Sequence, residues 1–390
     1  MGQRTVVASA FVAMGVVFGA AYSFGAFFDA IAAELGAGSA QTATVFSIMT
    51  FSFLALGAVT GRLADRFGAR PLVFAAAVAL GVGLWATAQV QSIVVGYLTF
   101  GFGAGLAAAC GYIPPIAAVG RKATERQAIA LGIAISGIGV GTLVATPMAA
   151  WLIGEFGWRR AYEVLAVSGA VLLLGAAIGV GPRVAAPIST SAGPPSNLVR
   201  DPAVRLLAIS GICFTLALFV PFVFVPPLAV ADGIDPVAAS FLVGLLGGGS
   251  VLARLGSGPA IERVGSLRTY RACFVLHALA YPIWWLAGDS YPLLVVFVVV
   301  LGIAYGGFVA VSASVVADGF GAARLGAVLG LIYAGAAVGS LFGPPVAGAV
   351  LDRTGALGVV VIGLSASAAL GAVLLWRVPM DDHGRLPARS

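Results

Sequence analysis

The residue in this sequence with the clearest potential for chemistry is an arginine inside an apolar stretch. Arg254 lies within residues 238–259, and we interpret every other Lys or Arg as lying outside the apolar stretches or within three residues of their ends. A cation within a bilayer is costly unless it faces water, a partner or a ligand. The preceding residues, Gly247–Ser250, are too small to shield its charge or to pair with it. An unpaired guanidinium beside a wet cavity offers two parallel N–H donors to a carboxylate.

Arg254 also has a simpler interpretation. Gly258 is expected to mark the end of the helix only one turn away, so the side chain could extend to the membrane surface. The spacing of the residues leaves both interpretations open.

Tyrosines in other apolar stretches are further candidates, because a phenol inside a membrane needs a hydrogen-bond partner. Tyr22, Tyr112, Tyr305 and Tyr333 occupy four different stretches, and each could bind a solute or belong to the core. Phe222, beside a proline, could form an apolar wall. His277 is the one histidine in an apolar stretch, and it could carry a proton or be a hydrogen-bonded structural residue.

The composition predicts an all-α integral membrane protein. Of the 390 residues, 60% are hydrophobic and 9% are charged, and the mean hydropathy is +1.06. Soluble domains have roughly 25% charged residues. The apolar runs of about 20 residues suit helices that cross a bilayer and not the alternating strands of an outer-membrane barrel. We predict no metal, no cofactor, no nucleic-acid partner and no enzymatic activity, since no phosphate-binding loop or metal-ligand cluster is present.

Polar breaks divide the chain into twelve apolar segments, which we predict to be transmembrane helices. The widest break, 182–202, is rich in proline and serine and separates two halves of six segments. We therefore predict an N-terminal bundle (1–181), a linker (182–202), a C-terminal bundle (203–378) and a tail (379–390). The twelve segments are 6–31, 42–63, 71–89, 93–118, 128–153, 160–181, 203–230, 238–259, 270–288, 291–316, 325–350 and 357–377.

Positive residues concentrate in alternate breaks. Most of the 21 Lys and Arg residues fall on one predicted side, whereas the other side has Arg159, Arg160 and Arg353. Under the positive-inside rule, both termini and the linker are cytoplasmic in a multi-pass protein, which we assign to the cytoplasmic (inner) membrane.

The two halves look like repeats. Gly61–Gly68 and Gly258–Gly265 both read G-x-x-x-acid-R-x-G, with Asp65 and Glu262 as the acids. The glycines and proline of the fifth segment recur in the eleventh at nearly the same offset of 197–198 residues. Two matches at one offset indicate a six-helix duplication, which gives two pseudo-symmetric bundles.

These motifs resemble those of a known family. Gly61–Arg70 resembles the signature loop of the major facilitator superfamily. Tyr22–Phe28 and Arg126–Gly137 resemble the first-helix and fifth-helix signatures of its monocarboxylate porters, a group related to the oxalate/formate antiporter-like members. Arg254, Gly258 and Glu262 match that group's R-x-x-x-G-x-x-x-acid spacing in helix 8.

The resemblance implies the major facilitator fold, with helices 1, 4, 7 and 10 around a central path and helix 9 on the outside. It implies that Arg254 binds the substrate, it makes Tyr112 and Tyr305 the better tyrosine candidates, and it favours the structural interpretation of His277. The sequence departs from the family at Ser250, where many members have an aspartate. It departs again at Tyr22, where animal members have a lysine, so proton coupling is left open.

Charges near the two repeated loops are candidates for gating. Asp65 with Arg66 and Arg70, and Glu262 with Arg263, could dock the halves on the cytoplasmic side and hold the outward-open state shut there. Asp65 could meet a helix N-terminus of the opposite half. The alternative is that these charges only set topology.

The resemblance therefore implies a secondary transporter of small organic anions, with monocarboxylates as the expected class, that works by alternating access with proton symport or anion exchange. The partners we predict are a small organic anion, protons and the lipid bilayer, with the protein as a monomer. Two alternatives remain: an exporter of hydrophobic compounds on the same fold, and a receptor-like member that transports nothing.

Overall fold

The computed structural model describes residues 2–122, 127–181 and 198–387, and these residues form helices joined by short turns, without strands. Each of the twelve predicted segments falls on helix. Most of the linker, 182–197, and the final residues of the tail lie outside the described residues, as does Arg126 of the fifth-helix signature.

We number the helices α1 (Gln3–Leu35), α2 (Ser39–Phe67), α3 (Ala69–Thr87), α4 (Ile93–Lys122), α5 (127–156), α6 (158–180), α7 (Pro202–Ala231), α8 (Pro236–Val264), α9 (Ser266–Ala287), α10 (Tyr291–Gly321), α11 (Arg324–Thr354) and α12 (Leu357–Trp376).

Several helices are interrupted in ways that the residues explain. A turn at Ser23 divides α1 into Gln3–Tyr22 and Phe24–Leu35. Gly157 (φ 77°) separates α5 from α6, and Gly321 (φ 72°) ends α10, since glycine adopts these positive φ angles without a steric penalty. Part of α4, Tyr97–Phe102, is a π-helix.

Ten helical stretches within the described residues are long and apolar enough to cross a membrane, and the longest, Ile129–Val180, contains both α5 and α6. The chain is therefore an all-α, multi-pass membrane protein. Helix α9 is not among the ten, and it contains Arg268, Arg271 and His277.

The predicted end of α8 at Gly258 is wrong, because the helix continues to Val264. Gly258 and Pro259 do not terminate it. At 1.5 Å per residue, Arg254 lies about 15 Å from the end of the helix and not one turn from it. This placement weakens the interpretation of Arg254 as a residue that reaches the membrane surface.

Glycine contacts follow the predicted duplication. A side chain at Gly137 would meet the carbonyl oxygen of Phe11 in α1, and one at Gly335 would meet that of Ala208 in α7. The partners Phe11 and Ala208 are separated by the same 197 residues that separate Asp65 from Glu262. Helix α5 thus packs on α1 as α11 packs on α7, through close backbone contact at small residues.

The halves contact each other through other residues. The repeated glycines Gly137, Gly141, Gly335 and Gly339 pack within each half and not between the halves. Across the halves, Gly139 of α5 lies against Gly247 of α8. The helix ends that include 62–70, 121–122, 263–271 and 377–385 form one face of the protein, which we call the arginine-rich face. The face at the other helix ends is called the opposite face.

On the opposite face, an aspartate joins the two halves. Asp352, near the end of α11, accepts hydrogen bonds from the backbone N–H groups of Ser39 (2.9 Å) and Ala40 (3.0 Å) at the start of α2. Within the described residues, the hydrogen bonds between the halves are the two that Asp352 accepts and the one between the Tyr22 and Tyr305 hydroxyl groups. Among the described residues, the halves are therefore hydrogen-bonded to each other on the opposite face and not on the arginine-rich face.

Candidate functional site

Arg254 is buried in the middle of the bundle, with only 7% of its surface exposed. Its Nη1 donates a hydrogen bond to Ser250 Oγ at 2.9 Å, one helical turn away. Its Nε and Nη2 are buried and have no hydrogen-bond partner among the described residues. These two nitrogens form one edge of the planar guanidinium, and that edge matches the two oxygens of a carboxylate.

Ser250 contacts Arg254 in a way that the sequence did not predict. Its hydroxyl accepts from Nη1 and in turn donates to the Gly247 carbonyl at 2.6 Å, although a neutral hydroxyl does not pair with the charge. The serine fixes the rotamer of the arginine without neutralising its charge. Among the described residues no carboxylate forms an ion pair with Arg254.

The predicted tyrosines gather around this guanidinium. The ring of Tyr305 lies 5.3 Å from the Arg254 Cζ, within range of a cation–π interaction. The hydroxyl groups of Tyr305 and Tyr22 are hydrogen-bonded at 3.2 Å, which links α10 to α1 across the two halves. Tyr112 and Tyr333 also lie near enough to interact electrostatically with Arg254.

Aromatic rings close the side of the cluster that faces α7. Phe222 is fully buried, and its ring centroid lies 4.5 Å from that of Tyr22 and 6.1 Å from that of Tyr305. Phe18 lies between the rings of Tyr22 (5.4 Å) and Tyr112 (5.6 Å). The predicted apolar wall at Phe222 is thus next to the polar groups, and the role of these residues in binding stays a prediction.

Sequence reasoning missed three members of the cluster. Phe18 precedes Tyr22 by four residues, so helical spacing could have placed both on one face of α1. Ser312 is hydrogen-bonded to the Tyr333 hydroxyl at 3.1 Å and lies two turns after Tyr305 on α10. Ser250 was considered as a small neighbour and as a departure from the family pattern, and not as a hydrogen-bond partner of Arg254.

His277 lies elsewhere, between α7 and α9. Its Nε2 is 3.1 Å from the Phe214 carbonyl oxygen, and its ring stacks on that of Phe214 at 3.9 Å. Tyr281, one turn later, is its other polar neighbour at 3.4 Å. These contacts are those of a hydrogen-bonded core residue, and none of them is with the Arg254 cluster.

The candidate gating residues remain apart in this structure. Asp65 forms a weak ion pair with Arg121 of its own half, at 3.5 Å, and makes no hydrogen bond or ion pair with the described residues of the other half. Arg66 lies over the ring of Phe67. Within the described residues Arg70, Glu262 and Arg263 form no ion pair. We predict that these residues make gating contacts between the halves in the outward-open state. The described residues make no such contacts in this structure.

Comparison with known proteins agrees with this arrangement. The profile of the Major Facilitator Superfamily matches residues 10–254 and again 207–390. Monocarboxylate transporter 4 of Rattus norvegicus is 29% identical over 360 residues, which cover 87% of this chain and 76% of that protein. Monocarboxylate transporter 2 of the same species is 26% identical over 389 residues (90% and 77%). MFS transporter asaE of Aspergillus flavus is 29% identical over 318 residues (79% and 70%). With two bundles related by a repeat and a profile that matches both, the chain belongs to the Major Facilitator Superfamily.

Proposed function

We propose that the protein is a secondary transporter of small monocarboxylates and that Arg254 binds the carboxylate. The free Nε–Nη2 edge of a buried arginine is the observation that carries this proposal. Two parallel, charge-assisted hydrogen bonds to a carboxylate would satisfy both nitrogens and neutralise the charge. A neutral solute could accept hydrogen bonds from these nitrogens but could not neutralise the charge.

The surroundings of Arg254 support a small, partly apolar anion. Hydroxyl groups of Tyr22, Tyr112, Tyr305 and Tyr333 supply donors around one end of the site, and Phe222 and Phe18 supply an apolar side. Two of the relatives reported above are named monocarboxylate transporters, which supports the same substrate class.

Transport follows from movement of the two halves. Hydrogen bonds between Asp352 and the start of α2 join the halves on the opposite face, whereas no hydrogen bond or ion pair of the described residues joins them on the arginine-rich face. The structure therefore corresponds to a state that opens toward the arginine-rich face. In the other state, the charges at the two repeated loops would join the halves on that face, and the carboxylate would reach Arg254 from the opposite side.

The solutes present on each side of the membrane, together with the site, decide whether transport is coupled to a proton or to a second anion. We infer that the substrate moves either with a proton or in exchange for another anion. Uptake into proteoliposomes under an imposed pH gradient, with and without an internal carboxylate, separates these two cycles.

The central test replaces Arg254 by Gln and measures saturable uptake of labelled lactate, pyruvate and formate. Removal of one partner of a buried charge pair costs roughly 2–5 kcal/mol, so we expect KM to rise at least about thirtyfold. Arg254→Lys keeps the charge but loses the planar fork, and we expect it to recover only a small part of the uptake.

Arg160→Gln is the matched control, because Arg160 is exposed and pairs with Glu163 on its own helix. It removes the same charge without altering the site, and its uptake should equal that of the wild type. Normal carboxylate uptake by folded Arg254→Gln protein would disprove the proposal. Selective stabilisation of the wild type by lipophilic cations in a thermal-shift panel would instead favour export of hydrophobic compounds.

A further inference from the structure

A groove on the outer surface of the C-terminal half joins a polar cavity to an apolar one. The polar cavity, of about 450 Å³, lies between the end of α8, the start of α9 and the folded tail. The apolar cavity, of about 490 Å³, lies between α9 and α12. Arg268 lines both, so the two cavities meet at this side chain at the arginine-rich face, and we call the pair the amphipathic groove.

The apolar part of the groove runs along the two helices. Its lining residues on α9 follow Arg268 at helical spacing down to Leu279, a distance of about 16 Å along the axis. Leu279 and Trp376 are mostly exposed, so they face the lipid chains. The apolar lining is completed by Ala272, Val275, Leu276 and Met380.

Positive charge collects at the polar end of the groove. Arg268 and Arg271 lie close enough for their charges to repel each other. Neither forms an ion pair with a carboxylate of the described residues. Arg263, Arg385 and His383 line the polar cavity as well, against two acids, Glu262 and Asp382.

Arg271 supplies a second, independent observation. It is 7% exposed, and it donates hydrogen bonds to the carbonyls of Trp376 (3.1 Å) and Val378 (2.6 Å) at the end of α12. Its Nε is buried and has no partner among the described residues. Its guanidinium also lies 5.3 Å from the centre of the Trp376 ring. A fixed, desolvated cation with an unused donor therefore lines the groove.

We propose that this groove is a binding site for an anionic phospholipid of the leaflet at the arginine-rich face. The phosphate would contact Arg268 and Arg271, and an acyl chain would lie along α9 and α12 beside Leu276 and Trp376. The charge complementarity of the polar end and the apolar stripe beyond it match the two parts of one such molecule. The Arg254 cluster plays no part in this site.

The test uses the full-length protein in nanodiscs of phosphatidylcholine with increasing brominated phosphatidylglycerol. Bromine quenches nearby tryptophan fluorescence, and the contribution of Trp376 is obtained by subtracting the signal of a W376F variant. We expect quenching of Trp376 to saturate at a low fraction of phosphatidylglycerol. Arg268→Gln should require about fivefold more of that lipid, since one basic residue near the membrane surface contributes about that factor.

Arg353→Gln is the matched control, because Arg353 is an exposed arginine at the end of α11, on the opposite face. It should quench as the wild type does. Ala272→Phe fills the groove, leaves both arginines in place and should also reduce the quenching, so the test does not depend on one variant.

Three results would overturn the proposal. Brominated phosphatidylcholine could quench Trp376 as well as phosphatidylglycerol, which would indicate ordinary boundary lipid. The Arg268→Gln and Ala272→Phe variants could both match the wild type. Millimolar glycerol phosphate could relieve the quenching, which would indicate a site for a soluble phosphate and not for a lipid.

Discussion

Ser250, four residues before Arg254, places a neutral hydroxyl group beside the guanidinium, and this determines which groups the arginine can bind. Ser250 uses one nitrogen of the guanidinium and leaves the Nε–Nη2 edge free. An aspartate there would pair with the arginine and compete with a carboxylate substrate. The serine therefore favours binding of an anion over storage of a proton.

Tyr305 contributes to the site through both its ring and its hydroxyl, and two variants separate these contributions. Tyr305→Phe keeps the cation–π contact with Arg254 but leaves the Tyr22 hydroxyl without its partner, and we expect about a fivefold rise in KM, from a hydrogen bond worth about 1 kcal/mol. Tyr305→Leu also removes the ring contact, worth about 0.5–2 kcal/mol, and should raise KM further. Equal values of KM for the two variants in a carboxylate uptake assay would contradict a role for the ring.

His277 is expected to affect stability and not coupling. His277→Gln can keep the hydrogen bond to the Phe214 carbonyl, whereas His277→Leu cannot, so only the second should lower the melting temperature. Both variants should retain the pH dependence of wild-type uptake, measured in proteoliposomes between pH 5.5 and 8. A shifted pH profile in both would restore His277 as a proton carrier.

At the scale of helices, contact between α5 and α1 depends on glycines. A side chain at Gly141 would collide with the backbone of Gly15, whereas one at Gly154, on the same helix, meets nothing within 4 Å. The equivalent contact in the second half joins α11 to α7 at Gly339. The spacing of these glycines serves to bring backbones together within a bundle.

Gly141→Ala should destabilise the protein by about 1–3 kcal/mol, because the added methyl forces two backbones apart. Gly154→Ala is its matched control and should leave the protein as stable or raise its stability, since alanine favours helix over glycine by about 1 kcal/mol. Thermal unfolding in detergent compares the two. Similar melting temperatures would show that the contact is not tight in solution.

The sequence predicted the helices well because hydropathy, loop charge and the repeated motif are local signals. The segment that carries Tyr305 and the one that carries Tyr22 were both correct. The hydrogen bond between these tyrosines, 283 residues apart in sequence, was not predictable, since it depends on how the two halves meet. The predicted end of α8 was wrong because Gly258 resembles a helix terminator but lies within the helix, which continues to Val264. The cap that Asp352 provides for α2 had no sequence signal at all.

At the scale of the whole molecule, Asp352 stabilises the state that is closed on the opposite face. Its two oxygens accept from two N–H groups at the N-terminus of α2, which is a favourable place for a negative charge. Because this contact joins the two halves, it exists in only one of the two states that alternating access requires. It therefore biases the equilibrium between them.

Asp352→Ala should shift the protein toward the state that is open on the opposite face. Hydrogen bonds to a charged group contribute about 1.5–3 kcal/mol, so the population ratio should change at least about tenfold. Spin labels at Glu155 and Asp289, in a background without the three native cysteines, would report the change as a larger fraction of long distances on that face.

Asp235→Ala provides the control, since Asp235 caps α8 within a single half by accepting from Val237 and Ala238. It should lower the melting temperature without changing the distance distribution. If Asp235→Ala and Asp352→Ala altered the distribution equally, the contact between the halves would not be the cause.

The unneutralised charge of Arg254 also has an electrical consequence. An empty carrier holds one positive charge in its centre, and a carrier loaded with a monocarboxylate holds none. The membrane voltage, worth up to about 2.3 kcal/mol per 100 mV for a full charge, would then act on the empty carrier and not on the loaded one. Exchange of one anion for another keeps the carrier loaded in both directions, so it should proceed at a rate independent of voltage, whereas net uptake should not.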